Sequence, residues 1–188
     1  MKPQKRSPRP SRSRTNGRAE RRDTADVQPR SASRLENIDA LRGAIGITDD
    51  AALETLGDLG FTPETVLLLH FVPVVHVAWT EGGMSGRERN LIQGLAQRGG
   101  IQYGSRAYEV LTEWIEQPLP RGYFESSLAA IRASLDAMPG GTRAESVRSI
   151  VDNCTRVATA SRESATGREG LSAGEHDVLE FIVEALDA

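Results

Sequence analysis

The sequence has a single cysteine, few aromatic residues and no apolar run long enough to cross a membrane. One cysteine excludes a disulfide within the chain and is compatible with a reducing compartment. Aromatic residues make up 5% of the 188 residues and hydrophobic residues 38%, so we expect an aliphatic core. The longest apolar run, residues 66–79, has 14 residues, whereas a membrane-spanning helix needs about 20. We therefore expect a soluble, cytoplasmic protein without a transmembrane segment.

The sequence also lacks the common catalytic motifs, since it has no P-loop, dinucleotide fingerprint, HEXXH or CXXC. Cys154 lies among apolar residues at helical spacing, which indicates packing rather than a nucleophile. His70 and His76 are six residues apart, so they point about 120° away from each other on an unbroken helix and cannot share one ion. We interpret each as a core histidine bonded to a carbonyl, and we expect no enzymatic activity.

Charge divides the chain into two unlike parts. Residues 1–34 hold 11 basic and 3 acidic residues, a net charge of +8, and the remainder holds 12 basic and 23 acidic residues, a net charge of −11. Residues 1–33 are rich in Arg, Ser and Pro without periodic apolar positions, so they are predicted to be a disordered arm. Because this stretch has no apolar core, we expect no secretory signal.

Two functions are open for this basic arm. It can attach the protein electrostatically to an anionic partner, either nucleic acid or a membrane surface. Alternatively, it is a solubilising tail that folds back loosely on the acidic body. The segment has no aromatic residues for stacking on bases, which disfavours a reader of single strands.

The body, residues 34–188, has apolar positions three and four residues apart, which predicts an all-α fold of about seven or eight helices. The third helix begins with a cap at Thr62-Pro-Glu64, is apolar nearly all round, and is therefore predicted to lie at the centre of a compact bundle. Pro73 predicts a kink or break near residue 70. The predicted helices cover residues 35–45, 49–59, 63–80, 85–98, 104–117, 121–138, 142–158 and 172–186.

The turn TEGGMSGRER, residues 80–89, follows this central helix. Ser85 and Glu88 have the spacing of a capping box, in which each side chain accepts from the other residue's amide. Thr142 and Glu145 have the same spacing and predict a second box. A third pair, Ser172 and Glu175, belongs to a repeat, because MSGRERNLIQGLA (84–96) and LSAGEHDVLEFIV (171–183) align without gaps. We therefore predict two helix–turn–helix repeats about a pseudo-two-fold axis.

An apolar helix followed by Ala78, Glu81, Gly82, Met84, Ser85 and Glu88 resembles the TerB-like family, named for tellurite resistance. The resemblance implies an all-helical domain over residues 34–188, active in bacterial stress-response systems at the inner face of the membrane. It also implies binding of a divalent cation through acidic residues at the turns, here Glu81, Glu88 and Glu175. In the second repeat, Arg168 takes the position that corresponds to Glu81.

The metal hypothesis has an alternative, in which the acidic residues only cap helices and solvate the surface. An EF-hand loop is excluded, because Val77 and Trp79 would occupy its first ligand positions. A shared acidic site with further contributions from Glu163 and Glu169 remains open. Trp79 and Trp114 are interpreted as core residues, and His176 as exposed.

These observations favour a non-enzymatic binding or scaffolding module with an unidentified protein partner. By resemblance, it belongs to a stress-response system, with a divalent cation at the acidic turns and a peripheral position at the inner membrane. The alternative is an adaptor for nucleic acid or an anionic surface. In that case the arm supplies the affinity and the acidic body recruits a protein partner.

Overall fold

The computed structural model describes residues 27–138, 140–160 and 171–187, with the backbone alone for residues 27–32. Within these ranges the chain is helical and has no strand, which confirms the all-α prediction. No helix there is both long enough and apolar enough to cross a membrane. The helices are α1 (Val27–Ile45), α2 (Asp50–Asp58), a 3-10 helix (Val66–Phe71), α3 (Val72–Ala78), α4 (Gly86–Arg98), α5 (Arg106–Glu116), α6 (Arg121–Asp136), α7 (Gly140–Ala160) and α8 (Ala173–Asp187).

Helix α1 begins earlier than the sequence predicts. It starts at Val27, inside the segment expected to be the disordered arm. Pro29 falls in its first turn, where the missing amide has no intrahelical partner to lose. Residues 1–26 of the predicted arm lie outside the described residues. Contacts between residues divide the chain into two units, Met1–Ser33 and Arg34–Ala188.

Pro73 divides the predicted third helix, as expected. A 3-10 helix ends at Phe71, and α3 starts at Val72 with Pro73 in its first turn. A proline there needs no intrahelical hydrogen-bond partner, whereas in the middle of one long helix it would remove a hydrogen bond and clash with the preceding turn. The break confirms the predicted position and shows why the chain uses two short helices.

Helix α3 lies at the centre of the bundle. Six of its seven residues are buried, and it contacts α4, α6, α7 and α8. Its only residue that is not fully buried is His76, whose side chain reaches the surface between helices. The core around it is aliphatic, as composition predicts, and also includes Trp114. The pseudo-two-fold relation between the two repeats stays a prediction.

Two predicted helix caps are wrong. Thr62 does not cap a helix, because residues 63–65 form a turn and the 3-10 helix begins at Val66. Helix α7 begins at Gly140, so Thr142 lies inside its first turn and cannot be the residue that precedes the helix. The glycines at 140 and 141, expected to end the preceding helix, form the start of α7 instead. The amides of a first turn have no partner within the helix, so residues with low helix propensity are tolerated there. Glu145 therefore does not occupy the third helical position, which the glutamate of a capping box requires.

Adjacent leucines in the 3-10 helix provide a test of this core. Leu68 is fully buried, whereas 56% of Leu67 is exposed. Leu68→Ala should lower the free energy of unfolding by about 2–5 kcal/mol, because it removes packed atoms and leaves a cavity. The matched variant Leu67→Ala should change it by less than about 0.5 kcal/mol. Urea denaturation of both proteins measures the difference, and equal effects would contradict the placement of this helix.

Candidate functional site

The turn before α4 forms the predicted capping box. Ser85 has an extended backbone, and its hydroxyl accepts a hydrogen bond from the Glu88 amide at 3.2 Å. The Glu88 Oε2 accepts from the Ser85 amide at 2.7 Å. Gly82, with φ +83°, provides the left-handed turn that leads the chain out of α3. The Ser85–Glu88 prediction is confirmed.

A second capping box lies at the start of α8. The Glu175 Oε2 accepts from the Ser172 amide at 2.7 Å, and the Ser172 hydroxyl accepts from the Glu175 amide at 3.1 Å. The two boxes agree in partners and in distances to about 0.1 Å. Each carboxylate therefore lies at the positive end of a helix, where a negative charge is stabilised.

Both carboxylates are buried, although glutamate side chains are rarely buried without a partner. Glu88 is 3% exposed and Glu175 is 1% exposed, whereas Glu81 is exposed. Burial is the main cause that raises the pKa of Glu88, and the negative charges of Glu175 and Glu81 raise it further. Hydrogen bonds from Ser85 oppose this increase. The three predicted metal ligands therefore lie near enough for their charges to interact.

Contact between the two helix starts explains this proximity. A methyl group at Gly174 would lie 3.2 Å from Thr80 Cγ2, so the first turn of α8 passes close to the turn after α3. This neighbourhood joins residues more than 90 positions apart in the sequence. It brings the positive ends of α4 and α8 to one part of the bundle, each with its own buried glutamate.

This proximity does not amount to a metal centre in the described parts of the chain. There, no three His, Cys, Asp or Glu side chains are grouped so that they could hold a metal ion. Glu163, Glu169 and Arg168 lie outside the described residues. Metal binding by Glu81, Glu88 and Glu175 stays a prediction, while the capping function of Glu88 and Glu175 is observed.

Most of the other residues that the sequence analysis considered as candidates contribute to packing. Cys154 is fully buried, and burial raises the pKa of its thiol far above the usual range, so it packs as an apolar residue. Trp79 packs against the core and donates from Nε1 to the Trp114 carbonyl at 3.0 Å. His176 is exposed, as predicted.

The interpretation of the central histidines needs correction. No hydrogen bond from His70 or His76 to a carbonyl occurs among the described residues. Instead, His76 stacks on Phe124, with ring centroids 3.7 Å apart and planes 11° from parallel. Burial lowers the pKa of both imidazoles, and the charge of Arg121 lowers that of His76 further. His76 is therefore a neutral aromatic surface rather than a carbonyl-bonded core residue.

Sequence reasoning missed a groove between α6 and α8. It has a volume of about 630 Å³ and reaches the turn before α2 at Thr48 and Asp49. Small side chains line its α6 side at intervals of four residues, and Phe181, 44% exposed, lines its α8 side. The sequence feature that could have predicted this groove is a row of small apolar residues four positions apart, namely Ala129, Ala133 and Ala137.

Four charged side chains line the groove itself, namely Asp49, Glu125, Arg132 and Asp136, and α8 adds exposed carboxylates outside this lining. Among the described residues, α8 contains no Lys or Arg, and four of its carboxylates are exposed without an ion pair or hydrogen bond. The α6 side is more balanced, because Arg121 pairs with Glu125 at 2.8 Å and Arg143 with Asp136 at 3.3 Å. The exposed α8 carboxylates are Asp177, Glu180, Glu184 and Asp187.

No family model, curated protein or solved structure matches this chain. The resemblance to the TerB-like family thus rests on the turn residues alone.

Glu88 is expected to make the protein less stable as the pH rises. The fold raises the Glu88 pKa above its ordinary value of 4.5, so the folded chain holds this proton more tightly than the unfolded chain. The resulting stability is complete below the unfolded pKa and is lost as the pH rises through the folded pKa. Glu88→Gln removes the titration but keeps an acceptor for Ser85. Urea denaturation should show the variant gaining on the unmodified protein as the pH rises from about 4 to 7.

The electrostatic repulsion between the three glutamates can be measured separately from stability. The Glu88 pKa, measured by carboxyl NMR, should fall in Glu175→Gln and in Glu81→Gln, because each variant removes a repelling charge. An unchanged Glu88 pKa in both variants would show that the three carboxylates are not neighbours.

Calorimetry tests whether the acidic turns bind a divalent cation. If Glu81, Glu88 and Glu175 bind a metal, titration of Ca²⁺, Mn²⁺ or Zn²⁺ into the full chain should give a saturable heat that Glu88→Gln and Glu175→Gln abolish. Glu184→Gln, an exposed carboxylate on α8, is the matched control and should keep it. Heats equal to dilution for all three ions would contradict metal binding and leave the capping boxes as the function of these residues.

Proposed function

We propose that the body is a non-enzymatic binding module whose groove between α6 and α8 binds a basic, amphipathic helix of a protein partner. The observation that carries this proposal is a groove lined in part by Leu128, Phe181 and four alanines, next to a helix, α8, whose exposed charged side chains are all acidic. Binding would cover Phe181 and bring opposite charge to α8.

The shape of the groove supports a helical occupant. Two helices form its walls, and Ala129 and Ala133 lie one turn apart on α6, so a third helix could pack along this face of α6. Helices commonly bind in such grooves through apolar side chains at positions three and four residues apart. The volume of about 630 Å³ suits several side chains of one helix rather than a whole domain.

Charge supports a basic occupant. Exposed carboxylates on α8 have no cationic partners among the described residues, so an approaching helix with Lys or Arg at its edges would supply them. Complementary charge mainly raises the rate of association and selects against acidic partners. The net charge of −11 on the remainder beyond residue 34 acts in the same direction over longer distances.

The other predicted functions remain proposals that rest on the sequence. A stress-response setting and a position at the inner membrane follow from the resemblance alone. The adaptor function depends on the basic arm, whose residues up to 26 lie outside the described part. The groove proposal is independent of both, since it uses only α6, α8 and the turn before α2.

A peptide selection tests the groove. We would display random 18-residue peptides against the full chain and remove those that also bind Ala129→Trp, in which an exposed groove alanine becomes a bulky side chain. The remaining peptides should have apolar residues at helical spacing and an excess of Lys and Arg. They should lose at least tenfold in affinity for Ala129→Trp, a change of about 1.4 kcal/mol or more.

The matched control is Ala40→Trp, which makes the same change at an exposed position of α1 outside the groove. This variant should bind the selected peptides as well as the unmodified protein does. A selection that yields no groove-dependent peptides, or yields mainly acidic ones, would contradict the proposal.

A further inference from the structure

A second cavity adjoins the groove at the start of α6. It has a volume of about 380 Å³, within the range of about 300–1,000 Å³ that is typical of ligand sites. It shares Phe181 and Glu125 with the groove. We call it the aromatic notch, and its side chains of chemical interest are His76, Phe124, Phe181, Arg121, Glu125 and Asp177.

Three aromatic rings form the walls of the notch. His76 and Phe124 stack face to face at 3.7 Å, and Phe124 is 3% exposed, so this wall is held firmly by the core. Phe181 lies 6.1 Å from Phe124 with its ring tilted by 48°, and 44% of it is exposed. Solvent therefore reaches the ring of Phe181 and part of His76, while Phe124 supports both from the core.

One carboxylate of the notch, Asp177, is not in an ion pair with the notch's own cation, Arg121. Arg121 pairs with Glu125 at 2.8 Å, so the charges of these two side chains sum to zero although Arg121 still acts on His76. Asp177 is exposed and has no ion pair or hydrogen bond among the described residues. His76 is uncharged near neutral pH, because burial and Arg121 lower its pKa. The notch therefore has a net negative charge next to aromatic faces.

We propose that the aromatic notch binds the guanidinium group of an arginine side chain, with the planar cation on the exposed ring of Phe181 and its N–H groups donating to Asp177. This proposal rests on the proposed function, since the arginine would belong to the basic helix in the adjoining groove. A guanidinium is planar and weakly hydrated, so it stacks on rings and donates two parallel hydrogen bonds to one carboxylate. A lysine ammonium has neither property, and the notch should therefore prefer arginine.

Small probes test the notch without the partner. N-acetyl-argininamide, its lysine counterpart and its neutral citrulline counterpart would each be titrated into the full chain and followed by NMR. The arginine probe should bind saturably and shift resonances of His76 and Phe181. The citrulline probe should bind roughly tenfold or more weakly, because it keeps the shape and loses the charge. Equal affinity for arginine and citrulline probes, or tighter binding of the lysine probe, would overturn the proposal.

Variants connect the binding to named residues. Asp177→Asn should weaken the arginine probe roughly tenfold or more, since the hydrogen bonds lose their charged acceptor. Phe181→Leu should also weaken it, because a flat face is replaced by an aliphatic side chain. Asp187→Asn, another exposed carboxylate of α8 that does not line the notch, is the matched control and should have no effect. An Asp177→Asn protein that binds the probe normally would overturn the assignment.

The two proposals fail separately. Suppose the selected peptides lose affinity for Ala129→Trp, keep it for Asp177→Asn and show no preferred arginine. The groove proposal is then supported and the notch proposal is contradicted. If the arginine probe binds through Asp177 and no peptide depends on Ala129, the notch stands as a site for the cation and the groove proposal falls.

Discussion

Burial of α3 is the constraint on which the rest of the structure depends. Its sequence VPVVHVA is apolar on every side, so four helices must cover it, and Pro73 limits it to two turns by separating it from the 3-10 helix. Helices α4 and α8 consequently begin next to one another beyond its end. Their glutamates Glu88 and Glu175 are buried by that approach, and each is held by the positive end of its own helix.

The same constraint produces the groove. Helices α6 and α8 both pack on α3, and they also contact each other, but the small side chains of α6 do not fill the space between them. His76 is the one α3 residue that is not fully buried, and it opens into the notch against Phe124. A central helix thus contributes one aromatic wall to a surface cleft. Both proposed binding features follow from how α3 is covered.

Local signals in the sequence predicted local structure well. Ser85 and Glu88 define a capping box through spacing alone, and Pro73 defines a break because its ring and missing amide act within one turn. The predicted cap at Thr142 is wrong because Gly140 and Gly141 can form the first turn of a helix as readily as they can end one. The groove could not be predicted, because Ala133 and Phe181 are far apart in the chain and meet only through packing on α3. The neutral state of His76 depends on the same contacts.

The central claim is that the binding face lies between α6 and α8, while the acidic turns at Glu88 and Glu175 serve the architecture. An amide NMR map of the full chain with one selected basic peptide tests it most directly. The largest shifts should fall on residues of α6 and α8 around Ala133 and Phe181, with little change at residues 80–88. Shifts concentrated at residues 80–88 and at the start of α8 would contradict this claim and place the function at the acidic turns.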